Sequence, residues 1–207
     1  MAYVRCRSPA QAGAQGNEVQ PCEILDPGFR RETAGVKIHP ACPRASPSYL
    51  GKMEKDRTGR PLTPEERGLA TSIFGDAIAL DGVRLYRRKW FPFQPRGVTM
   101  APRGHIHFHP LGDSYCDCFA GSNLGLQGHL IHELTHVWQH QRGINLVLRR
   151  HPFCRYSYTI KPGWTLDRYG LEQQAEIVRH VFLLRHGATV PGAPPRETLE
   201  SILPFGT

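Results

Sequence analysis

The chain has 207 residues, of which 40% are hydrophobic and 21% charged, so it has room for one ordinary domain with a buried core plus a tail. No run of 18 apolar residues occurs and no apolar h-region follows the start, which argues against a helical membrane span and a secretory signal peptide. The net charge of +8 comes from arginines spread along the chain with no RNA- or DNA-binding signature, so it reads as general solubility and no nucleic-acid partner is expected.

Residues 1–52 mix Pro, Gly, Ala, Gln and Arg without helical or strand periodicity. They read as disordered, or as a spurious upstream extension with Met53 as the natural start. The runs Ser8–Gly13 and Leu25–Arg31 resemble translated intergenic repeat DNA, which supports the second option. Residues 53–190 are expected to form the folded domain, and 191–207 a C-terminal tail.

Order begins at Leu62-Thr63-Pro64-Glu65-Glu66, which predicts a helix with Thr63 as N-cap, Pro64 at N1 and Glu66 closing a capping box. Leu69, Ile73 and Ile78 continue it. Val83–Arg87 alternates and predicts a strand, and Val98–Met100 predicts a short one. Gly104–His109 alternates strictly, which predicts a strand with His105, His107 and His109 on one face. Those histidines read as lining the solvent or cleft side of a sheet edge, because strand positions two apart seldom converge on one ion.

Next comes His132-Glu133-Leu134-Thr135-His136. Chance placement of its three defining residues in a chain this rich in His and Glu gives about 0.03 such motifs, for a pattern that needs its structural context. Asn123 or Ser122 can cap the predicted helix, and Gly143 stands where a C-terminal glycine belongs. On a helix, positions i and i+4 share a face, so His132 and His136 can hold one Zn2+. Glu133 is then placed as general base toward a zinc-activated water. The extended three-histidine form fails, because Gln139 and Arg142 stand where glycine and histidine are required.

The ligand set is instead completed downstream. Tyr169–Gly187 predicts a second helix, with Leu171, Ala175, Val178 and Phe182 at helical spacing. Glu172 and Glu176 are i,i+4 on it. Glu172 reads as the third metal ligand, and Glu176 as the outer carboxylate orienting a ligand histidine. Between the helices, Tyr156, Tyr158 and Tyr169 are phenols that can support an oxyanion, and the sequence does not choose among them. Cys6, Cys22, Cys42, Cys116, Cys118 and Cys154 read by default as free buried thiols, with a disulfide from Cys154 to Cys116 or Cys118 as the alternative for an exported protein.

Three runs carry a family likeness: Phe91–Met100, His132–Gly143 and Tyr169–His180. Through them the region from about Leu62 to Gly187 resembles bacterial Vgr-related proteins and, more distantly, the metallopeptidase-like core domain found with contractile injection systems. The resemblance implies an α+β, zincin-like fold, with a small sheet packed on the HExxH helix and on a second, Glu-bearing helix. It also implies a link to a secretion or injection apparatus. Two functions stand. One is a zinc metallopeptidase acting on a peptide or protein substrate. The other is a non-catalytic zincin-like accessory module of a secretion or injection system. Location is expected to be cytoplasmic, with export through a specialised system.

Overall fold

The computed structural model describes residues 59–149 and 155–205, together with the backbone of two short strands, β1 (Val4–Arg5) and β2 (Glu23–Ile24), which pair antiparallel. The expected extension over 1–52 otherwise lies outside the described residues, as do Cys6, Cys22, Cys42 and Cys154.

Thr63 caps α1 (Pro64–Phe74) as its sequence requires. Its hydroxyl accepts from the Glu66 N–H, and the Glu66 carboxylate accepts from the Thr63 N–H. Glu66 does more than cap. It is fully buried and takes both guanidinium arms of Arg60 at 2.7 and 2.8 Å, plus the Phe119 N–H at 2.8 Å. A buried carboxylate is costly unless satisfied this way. Here one side chain joins the first turn of α1, strand β3 (Arg60–Pro61) and the loop leading to the next long helix. The helix ends at Gly75, whose φ of 53° suits glycine, so Ile78 falls beyond it.

The sheet is small. β3 pairs antiparallel with β4 (Arg84–Tyr86), and β4 pairs parallel with β5 (Ile106–His107). Both strands are shorter than the alternation predicts. Met100 makes one antiparallel bridge to His107, the remnant of the strand expected over 98–100.

Three long helices supply the mass of the core. α2 (Leu124–Gln141) is capped by the Asn123 side chain and terminates before Gly143, at φ 82°. α4 (Leu171–Arg185) packs along α2, and a short α3 (Leu146–Arg149) lies between them in sequence. Close approach of α2 and α4 depends on Gly128. A Cβ there would stand 3.0 Å from Leu183 Cδ2. Gly inside a helix costs about 1 kcal/mol relative to Ala, and here it admits the neighbouring helix.

The segment read as a tail is part of the core. α5 (Arg196–Glu200) carries buried Leu199, and Leu203 and Phe205 follow it inward. The Phe205 ring lies 4.9 Å from Phe74 and 5.1 Å from Trp138. Arg185 of α4 holds Glu200 of α5 at 2.5 Å. Five helical residues are too few to show periodicity, which is why this docking escaped the sequence reading. The architecture is α+β.

The Gly104–His109 expectation also needs correction. Only Ile106–His107 is strand, and its histidine face is not open to solvent: His107 and His109 are each 4% exposed. Tyr86 stacks on His107 at 4.6 Å and Trp90 lies 5.2 Å away. Aromatic cover from β4 and the following loop buries a face that alternation alone assigns to water.

Candidate metal centre

Within the largely apolar core shared by α2 and α4, acidic and imidazole side chains also face one another. His132 and His136, one turn apart on α2, point their Nε2 atoms at one oxygen of Glu172 on α4, at 3.3 and 3.2 Å. All three side chains are buried, and their donor atoms lie within 4.8 Å of one another. It is the one group of this kind among the described residues. The structure therefore brings together the three residues named as ligands from sequence.

Each imidazole is held from behind. His132 Nδ1 meets Glu176 Oε2 at 3.1 Å, and His136 Nδ1 meets Gln139 Oε1 at 2.8 Å. In neutral rings these acceptors favour the proton on Nδ1, which would free the Nε2 lone pairs for an ion. Gln139 is itself oriented, donating to Gln174 Oε1 and to the Leu171 carbonyl. Glu176 accepts from Arg179 at 2.7 Å and pairs with His180 Nε2 at 3.0 Å, and His180 Nδ1 reaches the Tyr158 hydroxyl at 2.7 Å. A hydrogen-bonded line thus runs Tyr158–His180–Glu176–His132.

Three tests bear on whether a metal fits. Tetrahedral bonds of about 2.0–2.1 Å require ligand atoms about 3.3–3.4 Å apart. The two His–Glu separations, 3.2 and 3.3 Å, lie close to that. The second test is charge: the buried carboxylates Glu133, Glu172 and Glu176 surround His132, an acidic setting that suits a dication. The third is the orphan: Glu133 Oε2 is buried without a hydrogen-bond partner, a costly state where nothing is to be bound or deprotonated. The residues fit a divalent ion, and the two-nitrogen, one-oxygen donor set suits zinc.

Electrostatics of the metal-free site follow from the same contacts. Burial opposes charge on His132, yet its hydrogen bonds to Glu172 and Glu176 outweigh that and raise it to about 9. Glu176 is held well below the ordinary carboxylate range, because Arg179 and the two histidines overcome its burial. His129, one turn before Glu133, is lowered to about 4, chiefly by burial. Its Nε2 lies 2.8 Å from the Thr99 hydroxyl.

Of the three tyrosines, Tyr156 stands beside the cluster, its ring stacked 6.0 Å from His132. Tyr158 is turned to His180, and the Tyr169 hydroxyl accepts the Lys161 N–H. Sequence reasoning missed Gln139, Arg179 and His180. The spacing Glu176–His180, again i,i+4, was a legible signal.

No protein-family model matches the sequence. The type VI secretion system spike protein VgrG2b of Pseudomonas aeruginosa is 41% identical over 133 residues, covering 60% of this chain and 13% of that protein's length. The solved effector domain of Pseudomonas aeruginosa VgrG2b superposes with a TM-score of 0.61 at 35% identity, over 72% of this chain and 86% of that domain. The chain belongs to the family of the VgrG2b effector domain. Membership of this Vgr-related, bacterial family agrees with the likeness seen in the three sequence runs. The chain corresponds to about one-eighth of the spike protein's length. Among the described residues, no helix is long and apolar enough to cross a membrane.

Proposed function

We propose that the chain is an effector module of a type VI secretion system, exported through that apparatus, and that it acts as a zinc-dependent peptidase on a zincin-like scaffold. The secretion role is supported by the family. The chemistry is supported by the site, and one observation carries it: a buried, unpartnered Glu133 oxygen next to a three-donor cluster. A purely structural zinc site takes four protein ligands and has no use for a free base.

His132, His136 and Glu172 hold the ion, and Glu176 and Gln139 hold the two rings in the required tautomer. Zinc supplies Lewis acidity and makes water acidic enough to deprotonate near neutral pH. Glu133 accepts the proton of the attacking water and delivers it to the leaving amine nitrogen. Tyr156, whose ring lies 6.0 Å from that of His132, is the phenol we assign to donate to the substrate carbonyl oxygen as charge develops there.

The competing reading is a non-catalytic accessory module of the same apparatus. The relatives bear on delivery and are neutral on chemistry. The deciding experiment compares purified wild-type protein with Glu133→Gln. Both are expected to carry about one zinc per chain. Wild type is expected to cleave members of a peptide library or proteome, read by new N-termini, with the variant down by about 10²–10⁴-fold. Zinc-loaded wild type that generates no new termini gives the accessory reading.

A further inference from the structure

We propose that the cleft beside the metal-bearing helix α4, walled by residues 155–169, is a subsite for an acidic side chain of a polypeptide ligand. The proposal rests on the peptide-hydrolysis reading for the chain that lies alongside, and it names the substrate class that reading leaves open.

The cleft has a volume of about 430 Å³. Three cations line it, Arg155, Lys161 and Arg168, along with three aromatic rings, Tyr158, Trp164 and Tyr169, and no carboxylate. Aromatic walls lower the local dielectric and focus the field of the cations, which is how a cleft selects one sign of charge. The chain's general positive charge does not account for this. Elsewhere several arginines meet acids, as at Arg60–Glu66, Arg67–Asp81 and Arg185–Glu200, and others lie singly over an aromatic ring, as Arg103 over Trp90. Here three cations converge on a concavity, and among the described residues that line it none is acidic.

The walls are held in place before any ligand arrives. Lys161 Nζ sits 4.1 Å over the Trp164 ring, and the Lys161 N–H donates to the Tyr169 hydroxyl at 2.9 Å. Trp164 meets Tyr169 edge-on at 5.3 Å. Gln173 of α4 donates to the Ser157 carbonyl at 2.7 Å, tying the segment to the helix.

Position decides the class of ligand. Gln173 follows Glu172, and Ser157 follows Tyr156, whose ring stacks on His132. From Arg155 to Ile160 burial alternates residue by residue, with Tyr156 and Tyr158 turned inward. Both walls of the cleft thus adjoin residues of the cluster in the chain, and two residues of extended peptide span roughly 7 Å, the reach the proposal requires. The Tyr158–His180–Glu176 line also begins in this cleft and ends on His132.

The test measures binding without turnover. Full-length Glu133→Gln protein, loaded with zinc, is titrated into a dye-labelled Glu-containing octapeptide and its Gln counterpart, read by anisotropy. The acidic peptide is expected to bind about tenfold more tightly at low salt, with the preference shrinking as salt rises. Lys161→Glu/Arg168→Glu is expected to abolish the preference, and the milder Lys161→Gln/Arg168→Gln to reduce it. The charge-matched control Arg67→Glu/Arg196→Glu is expected to keep it. Equal binding of the two peptides, or a preference that survives both cleft variants, overturns the subsite. So does tighter binding of inorganic phosphate than of the acidic peptide, which would mark a small-anion site. The two readings fail separately. A protein that binds the acidic peptide and cuts nothing removes the peptidase, and one that cuts with no acidic preference removes the subsite.

Discussion

Among the described residues two histidine groups stand out, one on strand β5 and its flanks, the other on helix α2, and the second alone brings a carboxylate within donor reach of both its rings. His105, His107 and His109 alternate along the chain, and Nδ1 of both His105 and His107 is buried without a partner. What covers them is aromatic: Tyr86 lies against both rings and Trp90 against His107. Burial therefore lowers His107 to about 4, with help from the Arg88 charge, and keeps it neutral. His132 and His136 are buried as deeply, but carboxylates and an amide face them on both ring nitrogens. Imidazole density alone does not make a metal site. A second element must bring acceptors that fix the tautomer and a carboxylate that completes the donor set.

The comparison breaks most sharply at the ligands. His132→Ala is expected to drop zinc from about one ion per chain to background in elemental analysis. His107→Ala is expected to leave zinc content unchanged. If the two variants behave alike, the assignment of the centre is wrong.

One step outward the effect is smaller. Glu176→Gln and His180→Ala are expected to weaken zinc binding about 10–100-fold and less than 10-fold respectively, by competition with a chromogenic chelator. Unchanged affinity in both would show that the Tyr158–His180–Glu176 line carries no load at His132.

The strand histidines have their own signature, in stability. His107→Ala removes a ring that stacks on Tyr86 and meets Trp90 at a tilt, and is expected to cost about 1–3 kcal/mol in denaturant unfolding, with metal affinity intact.

The last contrast is a pH profile of the metal-free protein. Burial lowers His129 and His107 to about 4, so both resist protonation in the fold. The unfolded chain takes those protons first, and stability falls as pH drops from 6.5 toward 4. His132 runs the other way. Raised to about 9 by its carboxylate partners, it contributes fully below pH 6.5, and that contribution is lost between 6.5 and about 9. Melting temperature in chelator is expected to peak near pH 6.5, with His129→Gln flattening the acid arm. An acid arm unaltered in that variant would assign it to other groups.

Local signals were legible where a residue's role is settled by its near neighbours. Thr63, Pro64 and Glu66 start α1, Asn123 starts α2, and i,i+4 spacing puts His132 with His136 and Glu172 with Glu176, because helix geometry fixes those faces whatever surrounds them. Other features were decided by contacts between distant segments. Burial of the 105–109 face required Tyr86 and Trp90. Docking of Phe205 required the gap between Phe74 and Trp138. That Tyr156 lies beside His132 while Tyr158 turns to His180 and Tyr169 to Lys161 depended on the path of the 155–169 segment. The sequence by itself determined which side chains share a helical face and which chemistry they offer. Only the tertiary structure decided which faces meet, because that depends on packing between residues dozens of positions apart, such as Gly128 against Leu183, which lets Glu172 reach both histidines.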